Sequence, residues 1–142
     1  MTATLGALPP WAVELLEEAR VGHLGLLDGD GLPRVLPVTY AVHQQAVWSA
    51  IDNKRKSSEG ELARVRWLRE RPRAALTVDL YRDDWSRLCW VQLLGSVSIL
   101  EGPPSGAVLE ALSRRYRQYR EDPPPGPLLE LVPERALWWR AT

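Results

Sequence analysis

Apolar positions recur along this chain with two periods, and the switches between them mark out the secondary structure. Pro9-Pro10 opens a stretch in which Trp11, Leu15, Leu16 and Ala19 share one face at helical spacing, and Gly22 stands where a helix end favours glycine. From His23 the period drops to two. His23 to Leu27, Pro33 to Val42 and Ala46 to Ile51 read as strands, separated by the turn signals Asp28-Gly29-Asp30-Gly31 and His43-Gln44-Gln45. Their succession predicts a three-stranded meander.

A second helical pattern follows the polar stretch Asp52 to Ser58. Ser58 and Glu61 have the spacing of a capping box, Leu62, Val65 and Leu68 make the apolar stripe, and Pro72 ends it. Ala74 to Tyr81 and Leu88 to Leu100 alternate as strands, joined by an Asp83-Asp84-Trp85-Ser86 loop. The longer one carries Cys89, Val91, Leu93, Val97 and Ile99 on one face, and its central Gly95 predicts a bulge or bend. Beyond Gly102-Pro103-Pro104 a third helix is expected to run to about Tyr119. It would bury Val108, Leu112, Tyr116 and Tyr119 and leave Arg114, Arg115, Arg117 and Arg120 mostly solvated. A stiff proline-rich connector, Asp122 to Pro127, precedes two short strands, Leu128 to Val132 and Ala136 to Arg140. The class is therefore α+β. Mainly antiparallel strands with about three isolated helices favour a barrel that closes its own edges over a doubly wound sheet.

With 142 residues the chain is expected to form a single domain over positions 1–142, with enough core to need no covalent staples. Cys89 is the sole cysteine, which excludes an internal disulfide and a thiolate metal cluster. The N-terminal stretch lacks a basic start and is interrupted by Glu14, Glu17 and Glu18, unlike a secretory leader. No apolar run reaches the ~18 residues that span a bilayer. A soluble, cytoplasmic protein is expected.

Eighteen basic residues balance eighteen acidic ones, so the molecule as a whole has no pull toward nucleic acid. The distribution is less even than the total. Between Lys54 and Arg73 stand eight basic residues and three acidic ones. Lys54, Arg55 and Lys56 fall between a strand end and a helix start, with Ser57 and Ser58 beside them. A helix N-terminus offers unpaired N–H groups and partial positive charge, so added cations there suit a bound phosphate. Pairing of the basic face with Asp52, Glu59 and Glu61 is the plainer alternative.

Other chemistry is sparse. No phosphate-cradling glycine loop and no dinucleotide fingerprint occurs. His23 and His43 have no neighbouring ligand spacing, Cys89 sits among apolar strand residues, and Asp83-Asp84 reads as a solvated turn. A catalyst without its own acid, base or nucleophile must borrow a cofactor's chemistry.

Three stretches carry a family resemblance: Gly31-x-Pro33-Arg34-Val35-x-Pro37-Val38, Leu62 through Arg71-Pro72-Arg73-Ala74-Ala75-Leu76, and Asp83-Asp84-Trp85-Ser86-Arg87-Leu88-x-Trp90-Val91 with Gly95-x-Val97. In order and spacing they resemble the pyridoxamine-phosphate-oxidase-like split β-barrel superfamily. Within it the third stretch resembles the actinobacterial branch of coenzyme F420-dependent enzymes. The resemblance covers about residues 10 to 140 and implies a homodimer with two cofactor sites at its interface. It implies Lys54, Lys56 and Arg55 at the cofactor phosphate. Pro37, Val38 and Thr39, with Ser49, Ala50 and Ile51, would wall the ring, and Trp85 and Arg87 would approach from the partner chain. The family's own substrate is not expected, because the longer C-terminal region that helps bind it has no counterpart after Trp138-Trp139-Arg140-Ala141-Thr142. Coenzyme F420 is the expected cofactor, since its carboxylate tail suits a basic track such as Arg64, Arg66, Arg69 and Arg71. The implied reaction moves hydride between the deazaflavin and a small unsaturated or quinone-like substrate. FMN is the alternative, and a non-catalytic carrier of F420, FMN or haem, with His43 as the axial ligand, is another.

Overall fold

Strand β6 (Cys89–Leu100) shows how the sheet is built: Val91, Leu93 and Val97 are buried on one face while Gln92, Leu94 and Ser96 lie half-buried on the other. In the computed structural model, which describes residues 4–51 and 62–142, six further strands join it. They are β1 (Gly22–Leu27), β2 (Pro33–Val38), β3 (Ala41–His43), β4 (Ala46–Ala50), β5 (Arg73–Leu80) and β7 (Leu128–Arg140). All pair antiparallel in one seven-stranded sheet of order β2-β1-β5-β6-β7-β4-β3.

That order forces the sheet to roll. β2 and β3 are its two outermost strands, yet only Thr39 and Tyr40 join them. Seven flat strands would hold their ends roughly 28 Å apart, whereas three Cα steps span at most about 11 Å. The fold is α+β with the sheet curled into a barrel, as expected.

The expected meander is corrected. Pro33 to Val42 is not one strand: it breaks at Thr39-Tyr40, and its halves end on opposite sides of the strand order. No proline or glycine marks the break, which tertiary contacts to Tyr40 impose. Gly22 does not end the first helix, α1 (Pro10–Glu18), whose C-cap is Ala19. It is a packing glycine in β1, where a Cβ would come within 2.7 Å of Leu76 Cδ1 and 3.3 Å of the Tyr40 ring.

The two expected closing strands are instead one, β7. Its register skips Glu134, with Leu94 opposite Arg135 and Gly95 opposite Pro133. Pro133 is tolerated at this bulge because it need not donate there. Gly95 is required: a Cβ would lie 2.0 Å from the Val132 carbonyl oxygen. The displaced Glu134 accepts bonds from Arg73 (2.6 Å) and Ser96 (3.2 Å), which hold its carboxyl below the usual range.

The main core joins inward residues of β1, β5, β6 and β7 to Ala12, Leu15 and Leu16 of α1 and Val65 and Leu68 of α2 (Ala63–Glu70). The expected Ser58–Glu61 capping box lies outside the described residues. The third helix divides into α3 (Gly106–Arg115) and α4 (Arg117–Glu121), because Tyr116 is extended (φ −128°, ψ 114°). A second apolar cluster forms under these helices from Ala41, Ala50, Ala111, Leu112, Tyr116, Tyr119 and Leu128.

Candidate functional site

Where the barrel closes, the ends of β2 and β4 come together and leave a cleft of about 190 Å³. Its described walls are Pro37, Val38 and Thr39 from the end of β2, Ala50 and Ile51 from the end of β4, Val21 just before β1, Leu62 and Arg64 from the start of α2, and Tyr119 from α4. Six of these side chains are apolar and would suit a planar ring. Thr39 and Tyr119 add hydroxyls, with Thr39 Oγ1 2.8 Å from Tyr119 Oη. Arg64 adds a cation.

Ser49, expected in the ring wall, lines a small enclosed space within the core instead. It is buried, and its Oγ donates to the Thr39 carbonyl at 2.7 Å, so it pins β4 to the β2–β3 corner.

The corner is tied down further at Tyr40. Arg115 Nε donates to the Tyr40 carbonyl at 2.7 Å, and its two terminal nitrogens donate to the carbonyls of Glu17 and Ala19 at the end of α1. The guanidinium lies 4.7 Å from the Tyr40 ring centroid, a cation–π distance. Tyr116 Oη accepts from the Tyr40 N–H at 3.1 Å and lies within donating distance of the Arg20 (2.9 Å) and Tyr40 (3.1 Å) carbonyls. Tyr40 itself is fully buried and donates to the Leu16 carbonyl at 2.6 Å. Burial pushes its phenol up to about 12, against the pull of the nearby Arg115 charge. Arg115 is thus no solvated residue of a helix face, as its position suggested, but the clamp joining α3, α1 and the corner.

The remaining expected site residues lie elsewhere. Arg87 lines a wider cleft of about 440 Å³ with Trp11, Glu14, Glu18, Asp79, Arg82, Ser86, Cys89 and Arg140. Trp85 belongs to the same 3₁₀ turn, Trp85–Arg87, and is 68% exposed, its Nε1 donating to Tyr81 Oη at 3.3 Å. Asp84 fixes that turn by accepting from the Ser86 hydroxyl (2.6 Å) and N–H (3.1 Å), which lower its carboxyl below the ordinary value. Burial pushes the Cys89 thiol up, offset by Arg140. Lys54, Arg55 and Lys56 lie outside the described residues. Of the basic track, Arg64 reaches the first cleft, while Arg69 bonds Glu101 at 2.5 Å and Arg71 donates to the Asp28 carbonyl at 2.9 Å.

His43 lines a third cleft of about 390 Å³ with Leu5, Leu8, Val13, Leu16 and Val42 among others. Among the described residues no group of three or more His, Cys, Asp or Glu is placed to hold a metal, and no helix is long and apolar enough to cross a membrane.

Residues 8–140 match the family model described as pyridoxamine 5'-phosphate oxidase. The chain belongs to the pyridoxamine 5'-phosphate oxidase family. Three solved structures share this family member's fold. An F420 reductase is 23% identical with a TM-score of 0.63, over 92% of this chain and 98% of that one. A FAD-binding protein from Mesorhizobium loti is 19% identical with a TM-score of 0.64, over 92% and 94%. HutZ, the haem storage protein of Vibrio cholerae, is 15% identical with a TM-score of 0.70, over 94% and 94%. At these identities the likeness is one of fold, the split barrel. No curated protein matches the sequence.

Val21, Leu62 and Tyr119 line the cleft without having been expected there, and Tyr119 is the polar one among them. The sequence placed it only on the buried side of a helix; the need of a buried tyrosine hydroxyl for a partner was the signal that could have found it.

Proposed function

We propose that this protein is a cytoplasmic oxidoreductase that binds coenzyme F420 in the cleft between β2 and β4. The observation that carries the reading is that cleft's make-up: apolar walls from Val21, Pro37, Val38, Ala50, Ile51 and Leu62, hydroxyls from Thr39 and Tyr119, and the Arg64 cation, at the point where the barrel closes. These residues fit a flat heteroaromatic ring carrying carbonyls at one edge and an anionic tail. When bound, the deazaflavin supplies hydride transfer to or from a small unsaturated or quinone-like substrate. The protein's own residues bind and orient the ring and keep water from its faces. An F420 reductase and a FAD-binding protein of the same fold support a flavin-type cofactor, with FMN as the alternative.

Two parts of the proposal reach beyond the cleft. Lys54, Lys56 and Arg55 hold the cofactor phosphate. The protein acts as a homodimer, because Arg87, which lines a different cleft of its own chain, and Trp85, on the same turn, would serve the cofactor only from a second copy.

The deciding experiment is a fluorescence or calorimetric titration with F420 and FMN side by side. Micromolar or tighter binding of F420, much weaker binding of FMN, and loss of both in the Lys54→Ala plus Lys56→Ala variant are expected. Preference for FMN would move the protein to the flavin-dependent reductases and oxidases, and binding of neither would defeat the proposal.

A second reading, haem carriage without catalysis, is favoured by one observation: His43 lines a largely apolar cleft of about 390 Å³. It predicts a Soret band on haem addition that disappears in His43→Ala.

A further inference from the structure

The cleft of about 440 Å³ beside Trp11 is lined by charges that do not neutralise one another. Glu14 and Glu18 come from α1, Asp79 from β5, Arg82 and Arg87 from the β5–β6 connection, and Arg140 from the end of β7. All are exposed, and no carboxylate of this set lies within 4.0 Å of a guanidinium of the set. Between them the lining is apolar, with Leu15, Leu80 and Cys89 joined by Trp11, whose ring lies 5.2 Å under Arg140. The acids stand where a helix does not favour them. Glu14 and Glu18 are one turn apart on one face, a like-charge spacing that weakens a helix. Glu18 also ends α1, where the helix dipole favours cations, yet that last turn holds no basic residue. Beyond the rise that burial gives the Cys89 thiol, Arg140 lowers it and Asp79 raises it, so charges of both signs bear on the apolar lining.

An ion of one sign would be drawn by half of this lining and repelled by the other half. A ligand carrying both signs gains from all of it. We infer that this cleft binds a small amphoteric molecule, with an ammonium and a carboxylate at opposite ends of a short apolar body. Glu14 and Glu18 take the cationic end, Arg82 and Arg140 the anionic end, and Trp11, Leu80 and Cys89 the body. The cleft shares no lining residue with the one between β2 and β4, and the inference does not rest on the cofactor reading.

The probe is 4-(aminomethyl)benzoate, compared by calorimetric titration with benzylamine and 4-methylbenzoate, which each lack one of its charges. The probe should bind, and the two singly charged compounds should bind roughly 10-fold or more weakly, the worth of one charge-assisted hydrogen bond. Cys89, the one cysteine of the chain, reports occupancy independently. The probe should slow its alkylation by iodoacetamide, and the analogues at the same concentration should not. In Glu14→Gln plus Glu18→Gln the probe should fall to the affinity of 4-methylbenzoate. The urea midpoint of that variant should hold or rise, because a like-charge pair has gone, and this separates lost binding from lost folding. In Arg82→Gln plus Arg140→Gln the probe should fall to the affinity of benzylamine. Arg87, to which the proposed function gives another task, stays in place in both. Absence of binding and of Cys89 protection would overturn the inference, as would equal binding of the probe and either analogue, or full affinity in Glu14→Gln plus Glu18→Gln. Each of those results leaves the F420 and FMN titration, read at the other cleft, to stand or fall by itself.

Discussion

The cleft between β2 and β4 and the cleft beside Trp11 are walled in different ways. The first is framed by bonds that do not face it: Ser49 to Thr39, Arg115 and Tyr116 to Tyr40, Tyr40 to Leu16. Its shape is therefore a consequence of how the barrel closes. The second is walled by exposed charged side chains, with Arg140 5.2 Å over the Trp11 ring and Arg82 donating to the neighbouring Tyr81 carbonyl. Two arginines that look alike in sequence, Arg115 and Arg87, sit in these two settings. A guanidinium holding three carbonyls together is part of the frame, and one on an exposed turn is available to something outside the chain.

The largest effect should follow from cutting the frame. Arg115→Ala removes three charge-assisted bonds, to the carbonyls of Glu17, Ala19 and Tyr40, so a loss of about 3 kcal/mol is expected in urea unfolding. Ligand affinity should fall with it, because the corner carries Thr39. A loss below about 1 kcal/mol would mean that water replaces the guanidinium at little cost and that the frame is held elsewhere.

Tyr40 gives a smaller effect with a pH signature. Its folded value of about 12 lies above the value near 10 of an unfolded tyrosine, so the neutral phenol's contribution is complete below pH 10 and is lost as the pH rises through 12. Wild-type stability should decline by roughly 2–3 kcal/mol over that window through this group. Tyr40→Phe forfeits the bond to the Leu16 carbonyl, about 1–2 kcal/mol at pH 7, and its stability should fall less steeply above pH 10. Parallel slopes for the two proteins would show that Tyr40 ionises as freely folded as unfolded.

These residues also show how far the sequence could be read. Strands with clean alternation, such as β6, and the bend at Gly95 were legible because their causes are local: pleat and steric exclusion. The class, the barrel and the meeting of Pro37, Val38 and Thr39 with Ala50 and Ile51 followed from strand pattern and family resemblance together. The break at Thr39-Tyr40 was not legible, because nothing in Val38-Thr39-Tyr40-Ala41 resists extension and the bend is imposed by Arg115 and Tyr116, more than seventy residues away. The division of the third helix at Tyr116 escaped for the same reason. Pro133 misled in the opposite direction: its usual meaning, a strand end, is overridden by a bulge opposite a glycine. Ser49 was assigned to the ring wall on its neighbours' account, and its hydroxyl turned out to have a nearer use.

Arg87 is where the smallest stability effect and the sharpest functional question meet. An exposed arginine on a 3₁₀ turn should tolerate Arg87→Ala within about 0.5 kcal/mol. If a second copy brings Arg87 to the β2–β4 cleft, the same variant should nonetheless weaken F420 binding, and mixing can show whose arginine is used. Combine Arg87→Ala with the Lys54→Ala plus Lys56→Ala variant, unfold and refold them together, and titrate. In a mixed two-fold dimer one site inherits both defects and the other inherits neither, so equal amounts should recover roughly a quarter of the wild-type sites. Recovery at that level requires a site shared between copies. No recovery, with Arg87→Ala still weak, would place the arginine's effect within its own chain and separate the two clefts for good.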